Sequence, residues 1–279
     1  MAVPQRARSW LAISVFSATL ALSSPWTIHS AVARNIKRTP STDLTPSLAE
    51  QPARPPQTVV AAVLDAGRST GIDPALLLTI AATESRFRTD AKNQTSSAAG
   101  LLQFTKQTWL ENMKKFGGKH GLSRFADQIR RSGTGHLVVR ASAKGRIWAL
   151  RNDPRIATLL AAERLDYQKE QSKDRPLQVM DFYLIHALGV AGANRFIEAV
   201  TDRPSVPCKA VVGDVAWKGS GLFRGLPHGA ATSLGVAYEV ISVRFEQRRS
   251  YYADLLDHDA TAAYPNPDPE EAGNWAAPR

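Results

Sequence analysis

The stretch "LLLTIAATESRFRTDAKNQTSSAAGLLQFTKQTW", residues 76–109, opens as an apolar helix, carries one carboxylate and then dissolves into Ser, Thr, Ala and Gly. Asp73 and Pro74 stand just before it, a helix N-cap followed by a proline at the first helical position. The spacing predicts a helix from Pro74 to about Phe87. On a wheel of 100° per residue with Leu76 at zero, Ile80 falls at about 40°, Phe87 at about 20° and Glu84 at about 80°. Glu84 therefore shares the apolar stripe. An ionised carboxylate placed there loses hydration, and the cheaper outcome is a raised pKa that keeps it protonated near neutral pH. A neutral carboxylic acid in a partly apolar cleft is the group that glycoside cleavage needs as general acid. A glutamate near a helix end can equally reach water, or pair with Arg88 four residues on, and the wheel alone leaves both readings open.

Working outward, the pattern is helical throughout. "QTVVAAVLDAGRST" (57–70) places apolar residues at 59, 60, 63 and 64, and "TKQTWLENMKKFG" starts a helix that stops at Gly117–Gly118. "DPRIATLLAAERLDYQKEQ" begins with a second Asp-Pro start. "PLQVMDFYLIHALGVAGANRFIEAV" reads as two helices split at Gly189–Gly192, and "ATSLGVAYEVISVRFEQRRSYYADLL" as a last amphipathic helix. Residues 201–231 read as loop, strand signals are nearly absent and no internal repeat is present. The fold class expected is all-α.

The ends differ from this middle. "MAVPQRARSW" is basic, "LAISVFSATLAL" is an apolar run of 12 residues, and "AVA" at 31–33 offers small residues for cleavage. Twelve apolar residues are too few for a permanent span, so residues 1–33 read as a secretory signal peptide; retention as an N-terminal anchor is the other reading. Residues 34–56 are rich in Pro, Ser and Thr and read as a flexible linker, and 258–279 as a disordered tail. The working domain is expected over 57–257, with a core at 57–200 and a helical extension at 201–257. Its location is expected to be the periplasm.

The 279 residues carry a net charge of +10; without residues 1–33, which hold Arg6, Arg8 and no acid, it is +8. The single cysteine, Cys208, forbids an internal disulfide, and the six histidines are scattered with no i,i+4 pair. No metal and no cofactor is expected. Between Lys114 and Arg155 stand 11 Lys or Arg against Asp127 and Asp153. That section suits an acidic wall polymer with lactyl-peptide carboxylates, or is a solvated face. Nucleic acid is not an expected partner, because interleaved aromatics are missing and an export signal is present.

Taken together, "ESRF" (84–87) and "AKNQTSSAAGLLQFTKQTW" (91–109) resemble the first two motifs of the lysozyme-like lytic transglycosylases, the soluble-lytic-transglycosylase (SLT) domain family. The matching residues are Glu84, Ser85, Phe87, Gly100, Leu101, Leu102, Gln103, Phe104, Thr108 and Trp109. "ALRNDPRIATLLAAE" and "YLIHALGVAGANRF" also resemble a branch of these enzymes, so the likeness covers roughly 57–200. It implies a lysozyme-like helical domain that acts on peptidoglycan glycan strands. Glu84 would serve as single general acid and then base, closing a 1,6-anhydro ring on N-acetylmuramic acid. It further implies substrate contacts from Ser97, Leu102, Gln103, Phe104, Tyr183 and His186. Trp109 reads as core.

Two departures stand out. "IHALG" (185–189) puts His186 where the family has a tyrosine that bonds the catalytic glutamate, with Tyr183 one turn earlier as a rival. The loop before Gly100 carries an extra residue, so Ser97 falls on a family glycine. A muramidase using water, or a wall-binding module within a flagellar or secretion assembly, fits the same motifs. A two-carboxylate hydrolase would need a second acid, with Asp90 nearest in sequence and Asp181 able to fold back.

Overall fold

A computed structural model describes residues 52–172 and 177–261. The expected signal peptide, most of the linker and the tail beyond Thr261 lie outside these residues. Helices dominate: α1 Gln57–Thr70, α2 Pro74–Ser85, α3 Lys106–Phe116, α4 Ser123–Ala126, α5 Lys144–Ala149, α6 Pro154–Gln171, α7 Val179–Asp202, α8 Cys208–Gly219 and α9 Leu234–Thr261.

α2 is the axis of this arrangement. Every residue from Ala75 to Ala82 is buried, so the helix is apolar all round rather than striped. A helix with that composition has to be surrounded. α1 covers one side, α7 another and α9 a third. Asp73 caps it as its sequence predicts, with Oδ1 accepting from the Ala75 N–H at 2.8 Å. α1 and α6 pack through small residues, Ala62 and Ala66 against Ala157 and Ala161. The Thr158 hydroxyl crosses the seam to the Ala62 carbonyl at 3.2 Å.

α9 is long, and Ala237, Ile241, Phe245 and Tyr252 line its inward face. Its arginines fasten it to both ends of α2. Arg249 meets Asp73 Oδ2 at 3.2 Å and Arg248 donates to Thr83 Oγ1 at 2.7 Å. Residues 52–56, expected as linker, are partly fixed here. Pro55 is buried and Tyr252 donates to the Ala53 carbonyl at 2.8 Å.

Three expectations change. Residues 201–231 are not a loop, because α8 occupies 208–219 and a 3-10 turn follows at Gly221–Phe223. "IRRSGTGHLVV" forms an antiparallel hairpin, β1 Ile129–Arg131 with β2 Leu137–Val139, closed by a turn at Ser132–His136. Its Ser-Gly-Thr-Gly turn was the signal, masked by the surrounding charge. α9 continues to Thr261, past the expected start of the tail at 258. The split in α7 is present, as a non-helical Gly189 with φ 70°.

Trp109 is core, 0% exposed, and its Nε1–H donates to the Ile147 carbonyl at 3.0 Å. Trp109→Phe should therefore lower the unfolding free energy by roughly 1–3 kcal/mol, because a buried carbonyl loses its donor. Urea denaturation followed by circular dichroism measures this, and an unchanged midpoint would contradict it.

Candidate active site

α2 ends two residues earlier than its periodicity suggests, because Arg86 and Phe87 both adopt left-handed backbone, φ 52° and 63°. Two consecutive non-glycine residues there cost about 1–3 kcal/mol each and need support from packing. That support is visible. The Arg86 N–H reaches the Ala82 carbonyl at 3.1 Å and the Phe87 N–H the Ala81 carbonyl at 3.4 Å. Phe87 is buried edge-on against Tyr252, with ring centroids 5.6 Å apart. The chain thus reverses immediately after Glu84 and leaves that carboxylate on the final turn.

Glu84 is half-buried as a residue, but its inner oxygen Oε1 is sealed from water and has no hydrogen-bond partner. Desolvation raises its pKa from the ordinary 4.5 to about 7. Two weaker influences oppose the rise: the Gly221 N–H, which donates to the carboxylate, and the nearby Arg224 guanidinium. Burial wins over both. The reading from the wheel, a carboxylate pushed toward its neutral form, thus has a structural cause, although that cause lies in the 221–224 turn as much as in α2.

Gly221 has to be glycine. A Cβ there would lie 2.5 Å from the Thr83 carbonyl oxygen, well inside contact distance. The turn is tied to the loop after Glu84, since Asn93 Nδ2 donates to the Gly219 carbonyl at 3.0 Å. Gly221, Arg224 and Asn93 were missed from sequence. "GSGLFRG" reads as loop, and its glycines mark a close backbone approach only once the facing helix is known.

Tyr183 stands beside Glu84. Burial raises its pKa most and the Glu84 charge raises it further, while a hydrogen bond with the Thr83 side chain lowers it. Thr83 Oγ1 donates its own proton to the Thr79 carbonyl at 2.8 Å and accepts from Arg248 at 2.7 Å, beside the Tyr183 hydroxyl. The Tyr183 ring stacks on Phe245 at 4.6 Å.

His186 behaves differently. Its Nε2 lies 3.0 Å from the Leu102 carbonyl and its ring packs on Phe104, centroids 5.4 Å apart. Desolvation lowers its pKa to about 4, so the neutral ring donates Nε2–H to Leu102. The expectation that this N–H serves Glu84 is corrected: it is already in use at Leu102. Tyr183 and His186 are three residues apart on α7 and so are neighbours on its surface. The helix turns Tyr183 toward Glu84 and His186 toward the 97–104 loop.

That loop is braced rather than loose. Gly100 has φ +81°, and a Cβ on it would lie 2.3 Å from the Arg151 carbonyl oxygen. Gln103, with φ 49°, donates its amide to the Gly100 carbonyl at 2.9 Å and the Ala91 carbonyl at 3.2 Å. Its two amide hydrogens are occupied, which leaves the side-chain oxygen for a ligand. Leu102 and Phe104 are buried, Phe104 against Trp109. Ser97 is exposed at the rim, where Oγ accepts from the Lys106 N–H at 3.1 Å and its carbonyl accepts from Arg151 at 3.0 Å.

The two acids named as alternatives take other places. Asp90 is exposed, and Asp181 is buried in a capping box at the start of α7, accepting from the Gln178 N–H at 2.8 Å. Among the described residues, no carboxylate appears with the groups that act on the Glu84 charge. No cluster of three or more His, Cys, Asp or Glu suited to a metal occurs among them, and none of their helices is long and apolar enough to cross a membrane.

Comparison with known families fits this geometry. Residues 62–183 match the family model for the transglycosylase SLT domain. The match contains α2, Glu84 and the Gln103 loop and ends on Tyr183, so His186, the Gly221 turn and α9 lie beyond it. Residues 62–183 thus carry a transglycosylase SLT domain.

Proposed function

We propose that this protein cleaves the β-1,4 bond between N-acetylmuramic acid and N-acetylglucosamine in peptidoglycan, with Glu84 as its single acid and base. The observation that carries this is the Glu84 carboxylate, whose inner oxygen is sealed and partnerless and whose pKa stands at about 7. At that value a large fraction is protonated near neutral pH, and the proton is easily given and taken back.

In the first step the Glu84 hydroxyl protonates the glycosidic oxygen, and the bond from that oxygen to muramic C1 breaks with oxocarbenium character. In the second step the carboxylate accepts the proton of the muramic C6 hydroxyl while its oxygen bonds C1. This forms the 1,6-anhydro end and restores Glu84-COOH. The scheme needs no second protein carboxylate, which agrees with a charge environment made of Gly221, Arg224 and Tyr183. Tyr183 stays neutral and fixes the last turn of α2 through Thr83. The Gln103 oxygen accepts from a sugar hydroxyl or acetamido N–H, and Leu102 and Phe104 shape the apolar floor beneath it. Ser97 contributes at the rim. His186 acts through Leu102, holding the loop in place.

Glu84→Gln should abolish cleavage of purified sacculi, read as loss of anhydro-muropeptides in mass spectrometry; residual cleavage at the wild-type rate would sink the assignment. Reducing ends in place of anhydro ends from the wild type would identify a water-using muramidase.

The same substitution has a signed effect on stability. The Glu84 pKa is raised on folding, so the folded state holds its proton more tightly than the unfolded chain. Stability from this group is therefore full below about 4.5 and is lost as pH rises through about 7. Glu84→Gln should be more stable than wild type above pH 7, by up to roughly 3 kcal/mol, with the gap closing toward pH 4. Thermal melts across this range test it, and a pH-independent gap would contradict it. Activity should fall on the alkaline side with an apparent pKa near 7 as the acid form is depleted.

Gly221→Ala should push the turn away from Thr83 and remove its N–H from the carboxylate. A tenfold or greater fall in turnover is expected, roughly the effect of misplacing one hydrogen-bond donor, with the alkaline limb shifted downward, because displacing the turn admits water and the lost desolvation outweighs the lost donor. An unshifted limb would separate Gly221 from Glu84.

A further inference from the structure

A cavity of about 770 Å³ opens beside Glu84, bounded by the end of α2, Tyr183 on α7, the 221–225 turn and the inward face of α9. Glu84 itself is not in its wall, but Gly221, Arg224 and Tyr183 belong to both. The wall carries Arg86 and, from later in the chain, Arg224, Arg244 and Arg248, with no Asp or Glu among the described residues that line it. The last three arginines come from beyond the matched domain.

Two of these side chains are fixed in place. Arg244 donates to the Arg224 carbonyl at 3.1 Å and the Gly225 carbonyl at 2.7 Å, and Arg248 donates to Thr83 at 2.7 Å. Each keeps further N–H groups unused, since a guanidinium has five donors. Arg224 is exposed and within electrostatic reach of Glu84. Arg244 feels the charge of Arg248 as a repulsion on top of its own desolvation. Like charges gathered without a carboxylate cost stability, and a bound anion offsets that cost. Guanidinium forks match carboxylates in shape and form charge-assisted hydrogen bonds with them.

The space is far larger than a small inorganic ion needs and lies within the range of ordinary ligand pockets. Ile241, Phe245 and Tyr251 add apolar wall beside the charges. A ligand with carboxylates on a short, partly apolar body fits this combination. On the substrate assigned above, such a body exists next to the bond that is cut. The lactyl group on C3 of the muramyl ring, whose C1 is attacked, carries a short peptide with free carboxylates.

We propose that Arg224, Arg244 and Arg248 form a subsite for the carboxylates of the peptide arm on the muramyl lactyl group. The α9 layer thereby makes the protein prefer peptide-bearing strands to bare glycan. The identity of this ligand rests on the peptidoglycan reading of Glu84; the presence of an anion subsite does not.

The test is binding of soluble fragments to the full wild-type chain by isothermal titration calorimetry. The probe is the N-acetylglucosaminyl-N-acetylmuramyl disaccharide bearing its acidic peptide, which has no cleavable muramyl–glucosaminyl bond. Two controls are the same molecule with its peptide carboxylates amidated, and the disaccharide without peptide, whose lactyl carboxylate is free. The acidic-peptide form should bind about tenfold more tightly than either control, an advantage that shrinks with added salt. Arg224→Gln and Arg248→Gln should each remove most of this advantage without changing affinity for the amidated form, and Arg248→Lys should keep part of it. Melting curves establish that the variants remain folded.

Acid and amide forms that bind alike, or arginine variants that bind the acid form as wild type does, overturn the subsite. A bare disaccharide that binds as tightly as the peptide form assigns the charge to the lactyl carboxylate and overturns the peptide arm. Failure of the Glu84 reading shows separately, as wild-type inactivity on sacculi, and leaves this binding comparison intact.

Discussion

The backbone of Gly221 lies against the backbone of Thr83, and much of the site follows from that single close approach. It brings an N–H to the Glu84 carboxylate and at the same time shields the final turn of α2 from water. Desolvation and hydrogen bonding pull the carboxylate's pKa in opposite directions. The balance decides whether Glu84 is an ordinary anion or an acid that holds its proton near neutrality. Here desolvation dominates, because one donor meets the carboxylate while Oε1 has none. A second donor to Oε1 would favour the charged form. The missing hydrogen bond thus helps to hold the carboxylate toward its neutral form.

The supports of this contact reach across the chain. Asn93 holds the segment before Gly221 from the loop side. α9 presses on α2 from the other side, anchored at Asp73 and Thr83 by neighbouring arginines. Thr83 joins these parts, since it accepts from Arg248, donates within α2 and lies beside the Tyr183 hydroxyl. The 201–261 region is thus part of the candidate site, not an appendage to a catalytic core. It also brings three positive charges to the edge of the same cavity, so one layer both tunes the acid and sets the polarity of what can lie beside it.

The loop from Ser97 to Phe104 shows how a motif of small residues becomes rigid. Gly100 permits the Arg151 backbone to pass at a distance no side chain would allow, and Arg151 in turn reaches the carbonyls of Ser97 and Phe104. Gln103 adopts left-handed backbone and uses its own amide to brace the turn. The residue that the motif marks for sugar contact is thus also a structural member. His186 closes the arrangement by donating to Leu102.

The sequence by itself determined the helices with Asp-Pro starts, the burial of Trp109, the position of the small-residue loop motif and Glu84 on an apolar helix. These rest on local capping geometry and on periodicity, which short stretches carry in full. It also pointed to the transglycosylase SLT domain over 62–183, because spaced motifs within one segment mark it. Tertiary structure alone decided which residues face Glu84. Tyr183 and His186 are both in reach by spacing, and only the direction of α7 sends one to the acid and the other to the loop. Gly221, Arg224 and Arg248 come from segments whose local pattern says nothing of α2, since a close approach between distant backbones leaves no periodic trace. The proton affinity of Glu84 belongs to that second class: it is set by how much water the packed chain excludes, a quantity that no single stretch contains.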